Sequence, residues 1–168
     1  MPLSLYQASV PVYLKLLGGL GVMIDKAVSA AEAQKYPPGN VFAARLFPDM
    51  WSFSEQVRAA TNHAFRGTAR LAGLPIPEIA DNGSAVDEMK ARIAATVEFL
   101  QSVDPAAVEA GLTREVSFPR GKETVTMSGE DYFQSFTLPN FYFHLTTAYN
   151  ILRHNGVSVS KLDFLGEV

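Results

Sequence analysis

The sequence predicts a mainly helical fold: four amphipathic helices in a bundle, with a small β-hairpin before the last of them. Three observations lead there. Long segments repeat apolar residues every three to four positions, one short segment alternates every second residue, and no cysteine is present, so packing must supply the stability. With 168 residues, 48% hydrophobic and 18% charged, the chain suits one domain over 1–168 with a single core.

The first helix is expected from Ser4, which stands at capping-box spacing from Gln7, to about Ala33, with Leu5, Val12, Leu16 and Met23 on its apolar face. Pro11 should kink it or mark its first turn, because proline lacks the N–H and its ring crowds the carbonyl four residues back. Residues 16–24 are apolar enough to suggest a signal segment. No basic residues open the chain, however, and Asp25 and Lys26 follow at once, so a core helix is the reading. No uninterrupted apolar run approaches the ~20 residues of a membrane span, which sets the expectation of a soluble cytoplasmic protein with no membrane partner.

Tyr36-Pro37-Pro38-Gly39-Asn40 breaks the pattern, and a second helix is expected over about 50–71, capped by Asp49 or by Ser52 with Glu55 at N3. Phe53, Val57, Ala60 and Ala64 form its stripe and leave Gln56 and His63 on the flank of the buried face. After a Gly- and Pro-containing loop, Ser84 and Asp87 form a cap-like pair before a third helix over about 85–103. Val86, Met89, Ile93, Val97 and Leu100 make its stripe, and Glu88, Lys90, Arg92 and Glu98 read as a solvated face.

From Thr113 to Met127 the period becomes two, with Val116 and Phe118 before Pro119-Arg120-Gly121-Lys122 and Val125 and Met127 after it, the pattern of a hairpin. Ser128 and Asp131 cap the last helical region, which Pro139 divides into a short lead and a longer helix closed at Asn155-Gly156. The remaining tail carries no motif. In this last helix Phe141-Tyr142-Phe143 covers most of the circumference, so at least one ring must face outward, and a homodimer interface is the favoured explanation.

A net charge of -3 and a pI near 5.6, with no run of Lys and Arg, argue against a nucleic-acid partner. Glycine-rich phosphate loops, nucleophile elbows and His-Glu-x-x-His motifs are absent. The histidines are three, His63, His144 and His154, enough in number for a catalytic zinc or nickel site. His144 and His154 stand about 15 Å apart along one helix and cannot share an ion. His154, beside Asn155-Gly156, suits a helix C-terminus, where imidazole meets the last carbonyls. His144 lies one turn after Asn140, and such a pair can point into a cleft; the competing reading is a buried hydrogen bond for His144 and a capping role for Asn140. On the second helix Asp49 and Gln56 are the matching candidates, because Asp49 and His63 are about 21 Å apart along it. Asp49 by itself is most simply an N-cap. Glu130-Asp131 and Asp87-Glu88 read as first-turn caps.

Residues 46–51, Leu-Phe-Pro-Asp-Met-Trp, with 139–144, Pro-Asn-Phe-Tyr-Phe-His, and 151–156, Ile-Leu-Arg-His-Asn-Gly, resemble a bacterial domain family of unknown function grouped with the DinB/YfiT-like proteins. The resemblance runs from Ser4 to Gly166. It implies an up-down-down-up four-helix bundle, often dimeric, in a superfamily whose better-known members hold a divalent metal through three histidines, one on the second helix and two at His-x-x-x-His spacing on the last. Some of those members are thiol-dependent transferases or hydrolases. Here the last-helix pair appears as Asn140 and His144, and the second-helix place falls around residues 56–59. Only His144 then remains as a metal ligand. Neutral amides bind zinc poorly, and the ligand count favours a chain without metal.

Two functional readings follow. In one, Asp49, Gln56, Asn140 and His144 line a small polar pocket between the second and last helices that takes a small molecule or a divalent metal, with His144 as ligand or general base. In the other, the bundle is non-catalytic, its polar groups are satisfied internally and its aromatic surface makes a homodimer or holds a partner protein.

Overall fold

A computed structural model describes residues 4–166. Helix α1 spans Leu5–Ala33, and the Ser4 hydroxyl accepts from the Gln7 amide as its N-cap. Pro11 sits inside this helix rather than in its first turn; its side chain is exposed, so the ring lies on the solvent side. Helix α1 is long and apolar enough to cross a membrane, a property that a core helix shares. Its apolar side chains Tyr13, Leu17, Leu20, Met23 and Ile24 are instead buried in the core of the bundle.

A single turn, α2 (Gly39–Phe42), precedes α3 (Phe53–Ala72). Ser52, not Asp49, caps α3. Ser52 and Glu55 close a capping box, and the Ser52 amide donates to the Glu55 carboxylate at 2.7 Å. Asp49 lies exposed in the turn before it. Helix α3 ends on Gly73 in the left-handed conformation, φ 68°, which glycine adopts without a Cβ penalty.

Helix α4 (Val86–Ser102) starts from Ala85, and the Ser84 cap does not form. Glu88 reaches back to the Gly83 amide instead, at 2.8 Å. Arg92, expected on the solvated face, is only 2% exposed. Its guanidinium donates to Thr61 Oγ1 (2.7 Å), Asn62 Oδ1 (2.8 Å) and the Ala80 carbonyl (2.6 Å) and lies over the Phe65 ring. The residue faces α3 rather than water because its fixed donors find acceptors on α3 and on the connection before α4, which a periodicity argument does not register.

Two short segments follow that hydrophobic periodicity does not reveal, α5 (Pro105–Glu109) and a 3-10 turn at Ala110–Thr113. Strands β1 (Glu115–Arg120) and β2 (Glu123–Ser128) pair antiparallel as a hairpin, Val116 opposite Met127 and Phe118 opposite Val125. Val116 and Phe118 turn into the core.

Ser128 caps α6 (Gly129–Asp131), accepting from the Asp131 amide. The chain then runs as a π-helix over Tyr132–Thr137 before α7 (Leu138–His154), which carries Pro139 in its first turn and closes at Asn155 and Gly156. The tail is not featureless. Ser160 and Asp163 form a capping box for α8 (Lys161–Leu165), which lies across Gly19 of α1 and is tied by an ion pair from Lys26 to Asp163 at 2.7 Å.

Side-chain contacts give the directions of the four long helices. Asn82, just before α4, donates to the Ser54 carbonyl at the start of α3, and Arg92 meets Thr61 further along both, so α3 and α4 run parallel. Glu109, after α4, accepts from the Leu5 and Tyr6 amides at the start of α1, so α1 opposes α4. Thr137 meets the His63 carbonyl and His144 meets Gln56, so α7 opposes α3. The order is up-down-down-up, mainly helical with one small hairpin before the last long helix.

Candidate functional site

The polar residues of α3 and α7 converge where these antiparallel helices face one another. Gln56 and His63 are two turns apart on α3 and share one side of it. His144 comes from α7, on the same side as the buried Phe141, Leu145 and Ala148. Its Nδ1 lies 2.7 Å from Gln56 Oε1, and its ring is near-parallel to that of His63, with centroids 5.6 Å apart and planes at 15°. Trp51, in the segment leading into α3, covers the pair with its ring 5.3 Å from His144 at 14°. Phe143 meets His144 edge-on, and Phe136 of the π-helix meets His63 edge-on.

A relay fixes the proton on His144. The Gln56 Nε2 group donates to the Trp51 carbonyl at 3.1 Å, which assigns the amide orientation and turns Oε1, an acceptor only, toward the imidazole. His144 therefore carries its hydrogen on Nδ1 and a lone pair on Nε2. Neither His144 Nε2 nor the ring nitrogens of His63 make a hydrogen bond among the described residues. The buried side-chain polar atoms left without a partner are Tyr13 Oη, Thr68 Oγ1 and Asn82 Oδ1, so the free ring nitrogens open to solvent rather than being sealed in the core.

Both imidazoles are neutral at pH 7. Burial pushes His63 down to about 4, with help from His144 and from Arg70 and Arg66, and burial alone pushes His144 down to about 4. A base this weak accepts a hydrogen bond readily but takes a proton poorly at neutral pH, which works against general-base catalysis by the unliganded site.

Packing sets the spacing of the pair. Gly67 follows His63 by one turn, and a Cβ there would collide with the Thr137 hydroxyl. The missing side chain lets Thr137 Oγ1 donate to the His63 carbonyl at 2.8 Å and brings the start of α7 against α3.

Of the residues expected at the site, Gln56 and His144 are in contact. Asn140 is half-buried one turn before His144, with its amide nitrogen turned back to the Phe136 carbonyl at 2.6 Å. Asp49 makes no hydrogen bond to the other three and stays on the exposed turn. His63 and Trp51, which the sequence reading left out of the site, complete it. The spacing of seven between Gln56 and His63 was the available signal, because it places both over the same strip of α3. His154 is exposed at the far end of α7.

A groove of about 790 Å³ lies elsewhere, between α1 and α8, lined by Gly18, Gly19, Val22, Leu162 and their neighbours. Among the described residues its one carboxylate is Asp163, already held by Lys26 and Ser160.

Comparison with known proteins places this geometry. Residues 5–165 match the family described as Domain of unknown function (DUF1993). The chain belongs to that family. A crystal structure of a DinB family member protein from Shewanella denitrificans is 35% identical and superposes with a TM-score of 0.91, over 98% of this chain and 93% of that one. The DUF1993 fold is thus a member of the DinB-like superfamily. Among curated proteins no sequence matches.

The three-histidine metal centre associated with that superfamily finds no equivalent donor set among the described residues of this DUF1993 chain. Among the described residues no three His, Cys, Asp or Glu side chains come together. Gln56 Oε1 is engaged by His144, and the Asn140 amide nitrogen by a carbonyl, which leaves two imidazoles. Two neutral nitrogen donors without a carboxylate or thiolate fall short of the three protein ligands that such a catalytic site uses.

Proposed function

We propose that this DUF1993 chain binds a small molecule in the cleft between α3 and α7, at the imidazoles of His63 and His144. One observation carries the reading: His144 is oriented from behind by Gln56, 2.7 Å away, while its Nε2 and both ring nitrogens of His63 have no hydrogen-bond partner among the described residues. Polar atoms oriented by a second group and left free on their far side are what a binding site needs. The low basicity of both rings supports binding through hydrogen bonds over proton abstraction.

A thermal-shift screen of small molecules on wild type and His144→Ala tests this. Genuine ligands raise the melting temperature of the wild type only, since a ligand stabilises in proportion to its affinity for the folded state. Compounds that raise both equally would refute the site.

A second reading, a homodimer through the aromatic surface, is favoured by the exposure of Phe47 (63%), Phe143 (56%) and Trp51 (47%). Light scattering of wild type and Phe143→Ser tests it; a monomeric wild type rejects it.

A further inference from the structure

We infer that the ligand of the His63–His144 site is an uncharged molecule with a flat ring and one hydroxyl or N–H donor, of the chemical class of a phenol. The inference deepens the binding reading above and rests on it. The relay from the Trp51 carbonyl through Gln56 leaves a lone pair, not a hydrogen, on His144 Nε2, so the site asks for a donor. The walls are rings: Trp51 near-parallel at 5.3 Å, Phe143 edge-on at 5.3 Å and Phe136 edge-on to His63 at 5.5 Å. Such faces and edges favour a flat apolar body over a saturated polar one.

Charge on the ligand is disfavoured from both sides. No carboxylate pairs with either imidazole among the described residues, so a cation meets no counter-charge. Arg70 and Arg66 are the cations acting on His63, but Arg70 donates to the Tyr132 hydroxyl at 3.1 Å, Arg66 lies over the Phe65 ring and neither hydrogen-bonds an imidazole among the described residues, so an anion at His144 Nε2 meets a lone pair and no donor. Binding an anion would instead require a proton on a ring that burial keeps neutral.

The test uses three probes, phenol, benzoate and zinc chloride, each titrated into the full chain at pH 7. Trp51, the single tryptophan, reports through its fluorescence, and the ¹⁵N resonances of the imidazoles report tautomer and charge. Phenol is expected to saturate, to move the His63 and His144 resonances and to leave His144 in its Nδ1–H form. Gln56→Met keeps the volume but removes the acceptor. It is expected to weaken phenol by about tenfold, the worth of one oriented hydrogen bond, with a melting curve confirming that the variant folds. Benzoate binding with formation of imidazolium, or saturable zinc binding at these resonances, overturns the ligand class and leaves the site. Silence of both histidines toward all three probes overturns the ligand class and the site together. An Nε2–H tautomer in the wild type overturns the relay, even if Gln56→Met fails to fold.

Discussion

His63 and His144, from opposite halves of the chain, face each other as near-parallel rings with centroids 5.6 Å apart. Both are neutral because burial withholds water from the charged form, and His144 adds to the reluctance of His63 to protonate.

That reluctance makes stability depend on pH. In the folded chain both groups titrate at about 4, whereas unfolded histidine titrates near 6.5. Between these values the unfolded chain holds more protons. Stability therefore rises with pH across the window, is fully present above about 6.5 and is lost as pH falls toward 4. The slope is at most about 1.4 kcal/mol per pH unit for each histidine. Urea midpoints of wild type and a His63→Gln/His144→Gln variant at pH 7, 6 and 5 check this; parallel curves for the two proteins would contradict it.

Gly67→Ala should disturb the pair without touching it. The added methyl meets the Thr137 hydroxyl and forces the start of α7 outward, against a gain of roughly 1 kcal/mol in helix propensity. A net loss of about 1–3 kcal/mol is expected, as for overpacking elsewhere, with altered Trp51 emission. A more stable protein with unchanged emission would show that the helices are not in tight register there.

Arg92→Met should release the long connection between α3 and α4. The guanidinium holds the Ala80 carbonyl and Asp81, whose own side chain is 67% exposed, so the ion pair itself contributes little. The hydrogen bonds to Thr61 and Asn62 matter more. A loss of roughly 2 kcal/mol and faster proteolysis near residues 74–84 are expected, measured by denaturation and limited digestion.

Tyr13→Phe should be neutral or stabilising by up to about 1 kcal/mol. The ring is fully buried edge-on to Phe141, while its hydroxyl has no partner at hydrogen-bond geometry, so removing the oxygen removes an uncompensated desolvation. A clear drop in melting temperature would reveal a partner for that oxygen.

Much of the bundle was legible in the sequence because local signals coincided with it. The Ser4, Ser128 and Asn155-Gly156 boundaries rest on short-range hydrogen bonding, and the hairpin on alternation around Gly121. Arg92 was misread because a charged side chain with enough acceptors can be buried, and that supply comes from another helix. Helix α8 escaped because five residues are too few to show a period. Half of the site was visible in Gln56 and His144. Asp49 is close to α3 in sequence, but Ser52 takes the capping role and Asp49 stays exposed on the turn before it. His63 was set aside because it was weighed only against Asp49, on its own helix; what places it in the site is the register of α7, which no single-helix argument contains.

The π-helix at Tyr132–Thr137 holds one residue more than an α-helix needs to cover the same rise. Six residues in π geometry turn about as far as five in α geometry, so the loss of a single residue would let this segment relax to α geometry while what precedes it stays in phase with α7. Helix α7 is held to α3 by the His144–Gln56 contact, so the change would fall within the segment, on Phe136 and Tyr132, the rings that meet Phe118 of the hairpin and, through Phe136, His63. The aromatic enclosure of His63 is thus tied to the number of residues between Ser128 and Pro139, and a length change there would reshape it while every imidazole and amide of the site stayed in place.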